Sequence, residues 1–376
     1  MKERFDLCII GGGVIGLSIA IHTAKKGANV LVVEKDRLGQ EASGGRAGLL
    51  TTVAEGVDRH DPYSIFSRES LQYLLQWIPE LEEKTQISSG LVKQNLLRLA
   101  LHEQEAALLE DHWLMQTETN SQIKRLSAEE ARTLEPLLSN DLIMAICSPD
   151  EYHLEPSLYL NALARMARQL GVTIREQTEV IQFIHQNNRM YGVVTNTGTQ
   201  IVAETTILAA GAWSHLLSRL AKVKVPVYPL KGQLIVLKQG DTDLNVMINT
   251  SKGYILSKPN GTVVLGATSE KEKFNKFITA KGIQELLPLF DYVPELKNWE
   301  IQHLWAGLRP ATPDGQPIIG YVPEWEGWYL ATGHSRHGVL LSGWTGHLVA
   351  EELEGKDQSH KLGSFGLHRF AMVERR

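Results

Sequence analysis

The chain has 376 residues, 43% of them hydrophobic and 22% charged, which is enough to bury a large core and long enough to favour two lobes. Its formal net charge of -5 and the lack of any long basic run offer no track for a polyanion, so no nucleic-acid partner is expected. No apolar stretch reaches the roughly 20 residues needed to cross a bilayer, and the N-terminal apolar run carries Asp6 in a strand pattern rather than a signal-peptide pattern, so a cytoplasmic protein is expected.

Phe5 to Ile10 is a short apolar run suited to a buried parallel strand, and Val14 to Lys26 follows with helical apolar spacing. Between and within them stand Gly11, Gly13 and Gly16. The first permits a tight turn, the second lets backbone N–H groups approach a pyrophosphate, and the third lets the helix pack closely on the strand with its N-terminus facing the anion. The second strand, Asn29 to Val33, ends at Glu34, a carboxylate that can accept from both ribose hydroxyls and that disfavours a 2′-phosphate. Strand, turn, helix, strand and acid in this register predict a dinucleotide-binding βαβ unit. The motif alone leaves FAD and NAD both open. Glu41 to Leu49 is then a loop of small residues, which lets backbone pass close to a planar cofactor.

Further along, Ser64–Glu83 and Glu103–Leu114 have helical spacing around a strand-like Val92–Leu101, and Ser127 to Glu130 forms a capping box before a short helix. An amphipathic helix over Leu158–Leu170 starts after Glu155-Pro156 and is closed by Gly171. Val172–Glu176, Thr178–Ile184, Arg189–Asn196 and Gln200–Leu208 then read as a meander returning to the nucleotide sheet, with Thr206 to Trp213 a buried strand ending in a small-residue turn. Val225–Lys238, Val246–Ser257 and Gly261–Thr268 make three more strands, broken by Gly253 and the Asn260-Gly261 turn, before a helix over Thr279–Leu287. These describe a sheet-rich lobe inserted into an α/β nucleotide-binding lobe. The last elements are a helix ending at Glu351-Glu352 and a loosely held tail from His360 to Arg376.

The only two cysteines, Cys8 and Cys147, lie in strand-like runs and read as buried fillers rather than a disulfide or redox pair. The thirteen histidines form no metal-ligand spacing, and no metal is expected. His22, His60 and His102 read as polar surface residues, and Trp213 and Trp344 as packing residues able to border a cofactor.

Taken in order, the glycine fingerprint, Glu34, the small-residue loop, Ala209 to Ser214, Gly307-Leu308-Arg309-Pro310 and the tract Gly333 to Gly338 resemble the D-amino-acid oxidase superfamily of FAD amine oxidoreductases, and within it the glycine oxidases of thiamine biosynthesis. The likeness runs from Asp6 to about Leu353. It implies a Rossmann-like FAD-binding domain over 1–86, 147–220 and 304–376, and an antiparallel-sheet substrate domain over 87–146 and 221–303. It further implies that Gly11, Gly13, Gly16 and Glu34 serve the ADP half of FAD, with Val180 at the adenine and Gly211 near the pyrophosphate, and that Val14, Ile15, Lys35, Ser43 and Trp213 are further cofactor-binding residues. Arg46, Ala47 and Gly48 belong by the same likeness to the flavin neighbourhood, Gly333, Arg336, Gly338 and Val339 line the isoalloxazine, and Leu49, His334 and Leu340 are further cofactor-binding residues. The helix starting there points its positive end at the flavin and stabilises negative charge on it.

In this superfamily the arginine of such a tract binds the substrate carboxylate, which assigns that role to Arg309; a planar guanidinium giving two parallel charge-assisted bonds suits it better than a lysine. Tyr254 is the second carboxylate partner, Arg336 touches substrate or fixes its loop, and Thr51 and Ser269 complete the pocket. The implied reaction is hydride transfer from the amino acid's Cα to flavin N5, hydrolysis of the imine to an oxo acid and ammonia or amine, and return of electrons to oxygen as peroxide. None of the pocket candidates is a carboxylate or free histidine suited to proton abstraction. Glycine oxidases tend to carry histidine and methionine where this chain has Lys252 and Ser269, so glycine, sarcosine, a small D-amino acid and D-proline all remain open as substrates. No cysteine follows Cys147, so the flavin is expected to be noncovalent. The alternatives are a D-amino-acid or proline dehydrogenase passing electrons to a quinone or carrier, a flavin-binding accessory protein without turnover, and, last, an NAD-dependent dehydrogenase. A homo-oligomer is a further implication of the resemblance.

Overall fold

A computed structural model describes residues 2–52, 61–117, 122–271 and 273–370 of the chain. Its first sheet runs in the order Ile318–Tyr321, Trp328–Thr332, Gln200–Leu208, Lys2–Ile10, Val30–Val33, Thr173–Arg175. The last five of these are parallel, and Ile318–Tyr321 is an antiparallel edge. Parallel strands are covered on both faces, which is why Val30 to Val33 is apolar at every position and buried throughout. Along the central strand the alternation of side chains separates two cores. Leu7 and Ile9 join the helices Val14–Ala24, Pro62–Thr85, Pro156–Gln169 and Gly338–Leu353 on one face. Cys8 and Ile10 join Phe183, Met190 and Val193 of the hairpin Val180–Gln186/Arg189–Thr195 on the other.

The second sheet is built around Tyr228–Lys238, which pairs antiparallel with Thr262–Gly266 and with Ile301–Ala311. It continues through Gly253–Lys258, Met247–Thr250, Val92–Ala100, Met144–His153 and Lys124–Ser127. One face packs on the helices Ala128–Leu134, Ala280–Leu286 and Leu289–Tyr292. The other carries Leu96, Leu234, Tyr254 and Trp305, and receives Ala47 and Leu49 from the first lobe. This is the face turned to the dinucleotide unit.

Several expectations change. Strands Met144–His153 and Ile301–Ala311 pair within the second sheet, so lobe boundaries at 146/147 and 303/304 cut through strands. Val246–Ser257 is a hairpin of two strands, because the chain reverses before Gly253, whose φ of +141° suits only glycine. Val172–Glu176 is no part of the meander: Thr173–Arg175 adds in parallel beside Val30–Val33. His22 is buried, not at the surface, with Nδ1 on the Ser18 carbonyl at 2.8 Å and Nε2 on the Tyr73 hydroxyl at 2.7 Å. His102 is exposed, and His60 lies outside the described residues. Nor is the stretch after His360 loose as far as Phe370. Phe365 is fully buried, 4.9 Å from the Phe66 ring, and Arg369 forms an ion pair with Asp314. The remaining tail, 371–376, is outside the described residues. Both cysteines are free and buried, and burial pushes the Cys8 thiol up to about 12. Among the described residues no helix is long and apolar enough to cross a membrane.

Candidate active site

The first strand leads directly into a long cavity of about 240 Å³. Gly11, Gly13, Val14 and Ile15 form its floor at the N-terminus of the first helix. Gly11 has φ +113°, and a Cβ on it would stand 2.4 Å from the Ala209 carbonyl oxygen. At Gly13 an added Cβ would meet Ser43 Oγ at 2.8 Å. That helix has no side-chain cap at Gly13, and the hydroxyl of Ser43 accepts from the Val14 N–H at 3.1 Å. Gly16 lies outside the cavity and does the packing expected of it, since a Cβ there would reach the Gly11 carbonyl at 2.0 Å.

Glu34 borders the cavity with its carboxylate held from behind, one oxygen accepting from the Gly12 N–H at 2.9 Å and the other from the Asp36 N–H at 3.0 Å. Burial raises its pKa, and those two N–H groups oppose the rise. The remaining lone pairs are free for ribose hydroxyls. Lys35, Ser43, Val180, Gly211 and Trp213 line the same cavity, as do Thr178 and Glu179, which the sequence did not single out. Gly211 has φ +51° and open space where a Cβ would stand.

At its inner end the cavity is closed by Leu308, Pro310, Gly333, His334, Arg336 and the first turn of the helix Gly338–Leu353, with Gly338 and Val339 in the wall. No side chain caps this helix and no acidic residue sits in its first turn, so its amides and positive dipole end are turned to the cavity. A dinucleotide carrying a planar ring therefore fits: two helix N-termini, glycines that let backbone line the wall and a prepositioned ribose acceptor lie along one trough. His334 is buried against Thr345 (Nε2 to Oγ1 3.3 Å), and burial lowers its pKa to about 3, which keeps it neutral. Leu340 turns into the core instead of the cavity. Trp344 packs on the His347 ring at 5.2 Å, away from the cavity wall.

Arg46, Ala47, Gly48 and Leu49 do not line the trough. They lead into an extended segment alongside Met144–His153, with the Leu154 N–H donating to the Gly48 carbonyl at 3.0 Å and the Leu50 N–H to that of Tyr152 at 2.9 Å. Gly48 has φ +63°, and Leu154 O would stand 2.1 Å from a Cβ there, so the position suits only glycine. Lys258, which the sequence did not flag, pins this segment from the second sheet. Its buried ammonium donates to the Ala47 and Leu154 carbonyls and lies 3.6 Å from Glu155, and burial lowers its pKa to about 8. Arg46 borders a second cavity between the lobes with Glu155, Gln302 and His303.

Arg309 and Tyr254 come together on the inward face of the second sheet. The guanidinium lies flat over Gly232, where a Cβ would meet it at 2.4 Å, and its Nη1 donates to the Thr268 carbonyl at 3.1 Å. The Tyr254 hydroxyl lies over Gly266, 2.6 Å from a Cβ there. Burial lowers the Arg309 pKa while Tyr254 opposes it, and Arg336 at the cavity's inner end is close enough to lower it further. Arg309 and Tyr254 thus stand beside Arg336, which lines the trough's inner end, without lining the trough themselves. Thr51 is buried and occupied by Glu151, whose carboxyl burial pushes up to about 7, with Thr51 and Arg98 pulling it back. Ser269 is exposed, and it is the preceding residue, Thr268, whose carbonyl positions Arg309. Glycines inside strands are a legible signal of close approach, and Gly232 and Gly266 carried it.

The chain is 32% identical to glycine oxidase of Geobacillus kaustophilus over 98% of each chain, and the crystal structure of glycine oxidase from that organism superposes with a TM-score of 0.91 over 97% of this chain and 98% of that one. Hydrogen cyanide synthase subunit HcnC of Pseudomonas aeruginosa is 30% identical over 93% of this chain and 92% of its own. L-proline dehydrogenase from P. horikoshii shares 26% identity at a TM-score of 0.83, with 99% of both chains covered. The family model for DAO, FAD dependent oxidoreductase, matches residues 6–352, and with the trough, the glycines and the fold in agreement the chain belongs to that family.

Proposed function

We propose that this chain is an FAD-dependent oxidase of small amino acids, glycine or a close analogue such as sarcosine or a small D-amino acid. The observation that carries this reading is the Arg309 guanidinium, laid on Gly232 and held by Thr268 beside the Tyr254 hydroxyl, close to Arg336 at the inner end of the dinucleotide trough. When bound, FAD supplies a two-electron acceptor. Arg309 holds the substrate carboxylate through two N–H bonds, and Tyr254 adds an O–H donor, so the α-carbon is fixed relative to the trough. The uncapped amides of the helix at Gly338 supply positive potential where negative charge develops. Loss of hydride from Cα leaves an imine, which water converts to an oxo acid and ammonia or amine.

Anaerobic titration of the yellow protein with glycine, sarcosine, D-alanine and D-proline, followed by air, tests this. Bleaching by one of them and recovery with peroxide is the expected result; a flavin that none bleaches overturns it. Recovery only with an added dye or quinone would instead favour a dehydrogenase, the reading to which the likeness with L-proline dehydrogenase from P. horikoshii points. Arg309→Ala is expected to weaken amino-acid binding by about a hundredfold, roughly 3 kcal/mol for lost charge-assisted bonds, with FAD still bound. Unchanged substrate affinity in that variant would remove the central assignment.

A further inference from the structure

The outer wall of the trough is held by the second lobe as well as the first. Trp213, Lys35 and Glu41 all line the trough and all come from the first lobe. Across them reaches the loop that follows strand Glu270–Lys271. Its Phe274 ring packs on the Trp213 ring, centroids 5.2 Å apart at 41°, and Lys276 Nζ lies 3.1 Å from Glu41 Oε1. Lys35 closes the arrangement, with its ammonium 3.8 Å from the Trp213 ring centre and 3.6 Å from Glu41. The loop is pinched at its base by one buried side chain. Gln233 donates to Glu270 at 2.6 Å and to Thr279 Oγ1 at 3.0 Å, and accepts from the Thr279 N–H at 2.8 Å. Glu270 is also paired with the buried Lys231 at 3.2 Å. A loop tied at its base, with Phe274 and Lys276 touching the opposite lobe, acts as a fixed arm rather than a floppy connection.

We propose that this arm is a cofactor clasp, in which Phe274 and Lys276 hold Trp213 and Glu41 against the bound dinucleotide and slow its release. The inference rests on the assignment of the trough to FAD. A noncovalently held dinucleotide leaves only as fast as the contacts over it open, so contacts that bridge the two lobes across its wall set the release rate rather than the fold's stability.

The test follows free-FAD fluorescence after dilution of the holoprotein, for the unmodified chain and for Phe274→Ala, Lys276→Ala and the double variant. Release about tenfold faster in the double variant is expected from the loss of one ring pair and one rim ion pair, with Phe274→Trp restoring the slow rate. The melting temperature of each apoprotein is measured alongside, and is expected to move little. Release rates within twofold of the unmodified chain would overturn the clasp. Should Phe274→Ala fail to fold, Lys276→Ala, at a side chain already 41% exposed, carries the test alone through the same rate. An unmodified chain that takes up no FAD would defeat the cofactor assignment instead, an outcome readily told from failure of the clasp.

Discussion

Arg309 and Tyr254 each lie on a glycine of a neighbouring strand, so their positions are set by the absence of two Cβ atoms. Gly232→Ala forces the guanidinium off its seat, since even a flexible side chain must shift when a Cβ stands 2.4 Å away. The expected result is a rise in KM for the amino acid of about tenfold, roughly 1.4 kcal/mol, with FAD content unchanged. An unaltered KM would show that the guanidinium is placed by Thr268 alone. Lys258 allows a second prediction at this scale. Lys258→Met keeps the length of the side chain but leaves the Ala47 and Leu154 carbonyls without their donor, and Glu155 without its cation, at a cost of about 3 kcal/mol or more. Chemical denaturation reads it directly; a loss below 1 kcal/mol would mean that water replaces the ammonium. Arg309 and Tyr254 could be singled out from the sequence because their motifs are local. Gly232 and Gly266 signalled only that something approaches closely, and Thr268 and Lys258 not even that, because the residue each acts on is brought near by strand pairing and not by sequence.

Among the elements, the two helices that begin at Gly13 and Gly338 do the most, since both bring their N-terminal ends to one trough. Gly13→Val places a branched side chain where Ser43 Oγ already stands 2.8 Å from the position of a Cβ. The protein is then expected to fold but to purify colourless, and retention of FAD would show that the first turn does not approach the pyrophosphate. The strand–helix–strand unit and most helices were legible because apolar periodicity is a property of the element itself. The parallel placement of Thr173–Arg175, the extended run after Arg46 and the strands at 144–153 and 301–311 were not, because membership of a sheet is a relation between segments. The same limit explains Arg46, Ala47, Gly48 and Leu49. The small Ala47 and Gly48 announced a close approach, and one partner found there is the strand Met144–His153.

For the molecule as a whole, three buried histidines set the response to acid. Burial lowers the pKa of His22 to about 4 and those of His153 and His334 to about 3, from an ordinary 6.5. Below pH 6.5 the unfolded chain binds protons that the folded chain refuses, so stability falls as pH drops from 6.5 toward 4, by about 1.4 kcal/mol per unit for each histidine. Glu151 acts in the opposite sense: with its pKa pushed up to about 7 from 4.5, the folded chain keeps a proton that the unfolded chain releases, which favours folding as pH falls from 7 to 4.5. Three groups outweigh one. Urea midpoints are therefore expected to decline between pH 6.5 and 4.5, and a midpoint that climbs on acidification would show the histidines to be protonated in the fold.

The path of the chain between the two sheets has a consequence for its synthesis. The first sheet takes strands from residues 2–33, 173–208 and 318–332, and the helix Gly338–Leu353 is packed into that sheet's core and supplies the trough's inner end. A nascent chain emerging from the ribosome thus holds the glycine fingerprint from its first moments, yet owns no complete pocket until nearly everything has been translated. Flavin capture is accordingly a late event, and the half-made protein must wait with an open sheet edge and a core missing one of its helices.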